Sequence, residues 1–390
     1  MLSFIGPPCI KYILPAPRRE IIDRSQAFLD IPAEEGREFS SETPQNVTCQ
    51  ALRSFGHWSG GVQKTEHSIQ SAYIDLIQKS EKFVYIENQF FVTTLKGNPS
   101  PQKEVANKLG QVIVDRIIRA RDEGDTDYKI YIVIPLMPEF FGDIFKAETE
   151  AGTLKTVMHY QYASINKDDP ETGITNGTIF TKLREEGIEP TDYIHFGALR
   201  AHQKITEQTA VTEVIYVHSK LLIVDDKYTI IGSANFNDRS QEGNRDSEFC
   251  LKFTDSDDSD FARSLRVRLF SRFINEDVTD LDPNGSELFN KWTSTAKNNS
   301  DILERVFKCA PNDVTKNFTE LAEYGQTVNE QLIKSDPPTG LTELEGVNGV
   351  LVDYPLEFLK EEWFHPSTLG LSKERFAWFG FGTLGTSVYT

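Results

Sequence analysis

Apolar residues recur along this chain with two different periods, and the alternation between them predicts an α/β protein. Helical spacing runs over residues 66–79, where Ile69, Tyr73, Leu76 and Ile77 share a face. It is cleanest over 103–121, with Val105, Leu109, Val112, Ile113 and Ile117 on one side. Further helices are predicted at 154–165 and 178–186, and another at 261–273, where Leu265, Leu269 and Phe273 lie opposite several arginines. Between them stand short β-type runs at 83–91 and 129–136, with strands also starting at Tyr193 and Glu213. The run 129–136 is almost wholly apolar, as expected of a strand covered on both sides. Gly97, Pro99 and Pro101 break the chain after the first of these strands. The order predicts a mixed β-sheet with helices on both faces.

Outside these elements the pattern weakens. Residues 1–48 mix proline with basic and acidic side chains and hold no period, so they read as a linker. From 280 to 335 the chain is polar with apolar clusters around Leu288, Trp292, Ile302 and Phe307, which predicts helices packed on the outside. Residues 351–359 return to sheet-like composition. With 390 residues the chain is long enough for a large core.

Charge narrows the function classes. A net charge of −18 argues against nucleic acid as a partner, which needs a basic face. It argues equally against whole-surface attraction to anionic lipid, while leaving room for a local basic patch. No apolar run is long enough to cross a bilayer, and the N-terminus lacks the layout of a signal peptide. A cytoplasmic protein is the expectation. Cys9, Cys49, Cys250 and Cys309 are sparse and lack metal-ligand spacing, so reduced thiols are expected. The sequons at Asn46, Asn176, Asn298 and Asn317 are expected to stay idle.

The chemistry concentrates in one stretch, Tyr216 to Asn235. His218 and Lys220 are two apart in a β-rich run, so they are predicted to share one face of a strand. Asp225-Asp226-Lys227 reads as a turn, and 228–231 as the returning strand. That hairpin would bring Ser233 and Asn235 to the edge that carries His218 and Lys220. An ammonium neutralises phosphate oxygens, a hydroxyl and an amide fix their geometry, and an imidazole attacks phosphorus or protonates a leaving alkoxide. These are the parts of a metal-independent phosphodiesterase site, and no cofactor or metal is implied. Glu248, opening the next apolar strand, is expected to accept a hydrogen bond from His218, and Asp225 to hold the hairpin. An isolated His-x-Lys is more often an accident of a strand face; the run through Asn235 reverses that reading.

The spacing His218-x-Lys220-x4-Asp225-x6-Gly232-Ser233-x-Asn235 resembles the signature of the phospholipase D superfamily. Its surroundings look like the C-terminal half of the eukaryotic phosphatidylcholine-type enzymes. Matching segments are Leu52-Arg53-Ser54, Trp58-Ser59-Gly60, 68–73, 85–91, Ile134-Pro135-Leu136, 197–200 and 237–240. The ending, Tyr354-Pro355-Leu356 with Val388-Tyr389-Thr390, also looks like that family's tail. The resemblance implies hydrolysis and transphosphatidylation of phosphatidylcholine to phosphatidic acid and choline, through a phosphohistidine intermediate. It implies His218, Lys220, Asp225 and Glu248 as the catalytic set and a phospholipid at a membrane surface as substrate. A tail packed back on the site is also implied, with Thr390 lining the cleft.

The family carries two such motifs, and this sequence carries one. His202-Gln203-Lys204 is a decoy, because Thr209 stands where the aspartate belongs, and a surface loop is the expectation for it. The organisation expected is therefore an inter-lobe linker remnant (1–48), a catalytic lobe (49–280) and a helical and tail extension (281–390). The missing partner would be a first lobe or a second copy of this chain; a fragment that only binds lipid or partners is the remaining alternative.

Several polar residues have two readings. Glu87, Asn88 and Gln89 either cap a strand end or line the cleft. Arg263, Arg266, Arg268 and Arg272 fit a solvated helix face better than a lipid-phosphate site. The acidic run 255–260 lacks the glycine and terminal glutamate of a calcium loop and reads as solvated. The aromatic run 376–381 reads as packing rather than as a membrane wedge.

Overall fold

A computed structural model of the chain describes residues 46–95, 105–140, 144, 152–166 and 177–362. The expectations for 1–45, for 376–381 and for the tail ending in Thr390 lie outside the described residues.

Fully buried strands form the middle of the molecule. Strands β3 (Phe83–Glu87) and β4 (Lys129–Val133) are buried at every position, which explains their unbroken apolar sequence. They lie parallel to each other, and β4 lies parallel to the first part of β5 (Ile194–Thr206). On the other side of β3 the pairing turns antiparallel, through β7 (Leu221–Val224), β8 (Tyr228–Gly232), β9 (Glu248–Asp255) and β1 (Val47–Phe55). Short strands close the two ends: β2 (Glu66–His67) pairs with β1, and β10 (Leu351–Asp353) with β5. The sheet order is β10-β5-β4-β3-β7-β8-β9-β1-β2, with β6 (Thr209–Val214) pairing β5 in a side hairpin.

Alternate residues of the central strands feed two separate cores. Val84, Ile86, Ile130, Ile132, Leu222 and Val224 pack with the helices α1 (Ser68–Lys79), α2 (Leu109–Glu123), α3 (Gly152–Ile165) and α4 (Ile179–Glu185). Phe83, Tyr85, Tyr131, Val133, Leu221 and Ile223 face the opposite way, onto α5 (Phe261–Ile274) and α6 (Ser286–Phe307). The period-2 strand geometry thus sorts one apolar run into two layers. The result is the mixed sheet with helices on both faces that the pattern predicts. Trp292 is fully buried and ties α6 to the sheet: its indole N–H donates to His195 Nδ1 at 3.0 Å, while His195 Nε2 meets Asp353 Oδ1 at 3.0 Å.

Some boundaries differ from the sequence reading for identifiable reasons. Helix α2 begins at Leu109 rather than near 103, because the Asp238 carboxylate takes the backbone N–H groups of Ala106 and Asn107. The strand read to Phe91 stops at Glu87, and the polar residues that follow turn the chain away. His202-Gln203-Lys204 lies inside β5, in the arm that pairs with β6, and not in a loop. Arg266 is not on a solvated face: its guanidinium is buried and pairs in bidentate fashion with Asp226, two contacts of 2.7 Å. Asp255 is likewise buried, its Oδ2 accepting from the Ala262 N–H at the start of α5.

Candidate functional site

The segment from His218 to Lys220 approaches the sheet, and regular pairing starts at Leu221, one residue later than the motif. His218 is exposed and Lys220 is buried, so the two do not present equal faces to solvent. Lys220 Nζ donates to Gln89 Oε1 at 2.8 Å and to the His218 carbonyl at 2.6 Å. Both acceptors are neutral. Burial pushes this ammonium down to about 8, and the nearby Glu248 carboxylate works in the opposite direction. The ring of His218 lies beside that of Tyr216, centroids 6.3 Å apart. Burial, and then the charge of Lys220, hold the His218 imidazole below its ordinary range, which favours the neutral form near pH 7.

Below this pair, residues 87–89 divide their tasks. Glu87 is buried and accepts from Tyr85 Oη and from Ser219 Oγ, so it anchors the residue between His218 and Lys220. Burial raises its carboxyl above the usual range. Asn88 Oδ1 accepts from the Phe236 N–H at 3.0 Å, and Val92 N–H donates to the Phe236 carbonyl at 2.8 Å. The rings of Phe91 and Phe236 stack 4.5 Å apart. Together these contacts clamp the loop that carries Ser233 and Asn235. Gln89 lines the site directly, bridging Lys220 through Oε1 and Tyr216 Oη through Nε2 at 3.0 Å.

The returning strand β8 ends in Gly232, where a side chain has no room: a Cβ would stand 2.3 Å from Cys250 Sγ and 2.4 Å from the Phe249 carbonyl. This close approach lets Ser233 reach over to β9. Ser233 Oγ donates to Glu248 Oε2, and Ser240 Oγ donates to Glu248 Oε1 at 2.6 Å. Glu248 is therefore occupied by two serines. No hydrogen bond joins it to His218 among the described residues, which corrects the tautomer-fixing role expected for it. Burial raises its carboxyl, with Ser233 and Ser240 pulling the other way. Asn235 Oδ1 is buried and accepts no hydrogen bond. Its backbone carbonyl accepts from Gln241 Nε2 at 2.8 Å.

Asp225 lies away from this cluster, at the turn where the sequence reading expects it to hold the hairpin, and not beside the other residues of the catalytic set that the resemblance implies. It lies at the other end of β7, five residues and roughly 16 Å from Lys220 at the strand rise. Its Oδ1 accepts from the N–H groups of Lys82 and Phe83, at 2.8 and 2.9 Å, and its Oδ2 from Glu81 at 2.8 Å. Asp225 and Asp226 both have left-handed backbone (φ 56° and 53°) and close the turn from Val224 to Lys227. The carboxylate thus fixes the hairpin to the start of β3.

The structure brings His218, Lys220, Gln89, Ser233, Asn235 and Glu248 to one end of the β7–β8–β9 edge. Tyr216, Ser219 and Ser240 join them, and sequence reasoning gave none of these three a role. Ser219 had no periodic signal, and Ser240 was visible only as part of the segment 237–240.

Most of the chain is similar to known proteins. The family model described as Phospholipase D matches residues 39–254, more than half of the chain. Phospholipase D1 of Mus musculus is 40% identical over 337 residues, 82% of this chain and 30% of that protein. Phospholipase D2 of Bos taurus is 37% identical over 347 residues, 84% of this chain and 35% of that one. Phospholipase D zeta 1 of Arabidopsis thaliana is 35% identical over 359 residues, 82% of this chain and 31% of that one. The chain spans about a third of the length of these relatives.

Proposed function

The chain belongs to the phospholipase D family, and from that premise we propose that it supplies one His–Lys half of a site that cleaves phosphatidylcholine to phosphatidic acid and choline. The observation that carries this reading is the buried Lys220 ammonium, hydrogen-bonded to neutral oxygens alone beside an exposed imidazole. A cation held this way gains most from an incoming phosphodiester anion. Ser233 and Asn235 stand on the clamped loop as further phosphate-binding groups.

The reaction runs in two displacements. One imidazole attacks phosphorus while the bond to the choline oxygen breaks, and a second acid protonates that oxygen. Water, or an alcohol in transfer, then attacks the phosphohistidine, gives its proton to the base and releases the histidine. Attack and departure occur on opposite sides of phosphorus, so one His218 cannot perform both roles in the same step. The sequence holds one His-x-Lys-x4-Asp motif, and a second unit completes the site, from a first lobe or a second copy of this chain. Beside a first lobe whose histidine attacks, His218 serves as the acid toward choline and as the base toward the acceptor; in a pair of identical chains one His218 attacks and the other takes that acid and base role. The extent of the lobe, 49–280 with an extension at 281–390, and a peripheral position at membranes belong to the same proposal. No described helix is long and apolar enough to cross a membrane.

The test is choline release from phosphatidylcholine vesicles across a protein dilution series, with mass measured at each point, alone and with a separately expressed first lobe. His218-dependent turnover is expected with the added lobe, or in a dimer. A monomer fully active at every dilution would refute the need for a second unit. Absence of His218-dependent turnover under all of these conditions would sink the assignment.

A further inference from the structure

At the opposite end of the catalytic hairpin lies a recess of about 890 Å³, between the C-terminal end of α1, one side of α2 and the turn at Asp225. Its lining gathers Lys79, Lys82, Arg116, Arg119, Lys227 and Lys252, six cations in a chain whose net charge is −18. Four carboxylates also line it: Asp75, Glu81, Glu123 and Asp225. Six cations less four carboxylates leave the lining a formal charge of +2. Asp225 is turned to three backbone amides, Asp75 pairs with Lys79, and Glu123 lies 3.9 Å from Arg119. Glu81 is exposed.

Arg116 is the informative residue. It is 3% exposed, lies over the Tyr128 ring at 3.6 Å, and donates through Nε and Nη2 to the carbonyls of Ser80 and Glu81, at 2.7 and 3.3 Å. Its Nη1 is buried with no hydrogen-bond partner, and so is Nε of the neighbouring Arg119. No carboxylate is within ion-pair distance of Arg116 among the described residues. A guanidinium buried among carbonyls without a counter-ion is costly, and an anion nearby offsets that cost. Across the recess, Lys227 and Lys252 flank the Tyr228 ring, with Nζ atoms 5.9 and 5.7 Å from its centroid.

We propose that this recess binds a soluble phosphate anion carrying several charges, of the pyrophosphate type. Several separate cations around one hollow suit a multiply charged tetrahedral group better than a single carboxylate. The choice of a soluble source rests on the proposed function: with the His218 end turned to a phospholipid surface, the far end of the hairpin faces away from it. Binding itself does not depend on that reading.

Titration calorimetry of the full chain with pyrophosphate tests the proposal, using wild type, His218→Asn and the double variant Lys227→Glu/Lys252→Glu. Saturable one-to-one binding is expected, unchanged in His218→Asn and at least tenfold weaker in the double variant, whose fold is checked by circular dichroism. Arg116→Gln, if it folds, is expected to weaken binding as well. No saturable binding, or equal binding by the double variant, would overturn the site. Sedimentation with phosphatidylcholine vesicles bearing phosphatidic acid is the second arm. Binding there with none to pyrophosphate would overturn the soluble source. Wild type that binds pyrophosphate but cleaves no phospholipid in the completed site would fault the proposed function alone.

Discussion

The two ends of strand β7 carry the two halves of one sequence motif, and they are built on opposite principles. At the Asp225 end both oxygens of the motif's aspartate are used: three backbone N–H groups converge on them, and the neighbouring Asp226 is locked to Arg266. At the His218 end the groups are left short of strong partners. The imidazole is exposed, the Lys220 ammonium meets neutral oxygens, and Asn235 Oδ1 has no partner. Saturated charge holds a frame, whereas unsaturated charge is available to a ligand. The comparison teaches that the three lettered positions of a motif need not share one task.

Substitutions at the two ends should separate accordingly. The largest effect belongs to His218→Asn, which removes the proton-transfer group or nucleophile and should cut turnover in the completed site by about 10³-fold or more. Thermal melting should not move. Lys220→Arg comes next, with a loss of about 10²-fold, since a planar fork cannot replace a compact ammonium held by Gln89. The pH profile of kcat/KM sharpens this case. Activity needs charged Lys220, whose pKa lies at about 8, so the alkaline limb of wild type should fall near pH 8. In Lys220→Arg that limb should move well above it. Where His218 is the attacking imidazole it must be neutral, so the acid limb follows it, and activity should fall as pH drops through a value that burial and Lys220 hold below the ordinary range.

Asp225→Asn should act on stability instead. Asparagine tolerates the left-handed backbone but loses the charge that three amides share, at a cost of about 2–3 kcal/mol. A lower melting temperature with nearly normal turnover per folded molecule is expected. The smallest effect is assigned to Gln89→Leu, about tenfold in kcat/KM from one hydrogen bond to a charged group, with the alkaline limb shifted to lower pH. An unshifted limb would mean that Gln89 does not stabilise the ammonium.

How much of this was legible in the sequence follows the same division. The central strands were, because burial on both faces forces an unbroken apolar run in β3 and β4. The hairpin and its turn were, because Asp225-Asp226 suits left-handed backbone. The start of α2 was not, since a carboxylate more than a hundred residues away captures Ala106 and Asn107. Arg266 was misread because helical spacing cannot show that the Asp226 turn closes over it. The partners of Glu248 escaped for a similar reason. Spacing put Glu248 near His218, but Ser233 and Ser240 reach it first once Gly232 lets the strands close. The residue types of the site were visible in sequence, and the order of hydrogen bonds among them was not.

The most direct test of the division sets His218→Asn and Asp225→Asn side by side, measuring thermal melting and choline release from phosphatidylcholine in the completed site on the same samples. A crossed result is predicted: His218→Asn melts like wild type and releases no choline, while Asp225→Asn melts several degrees lower and keeps its turnover per folded molecule. An Asp225→Asn protein that melts like wild type but has lost turnover would contradict the account, because the aspartate would then belong to the chemistry.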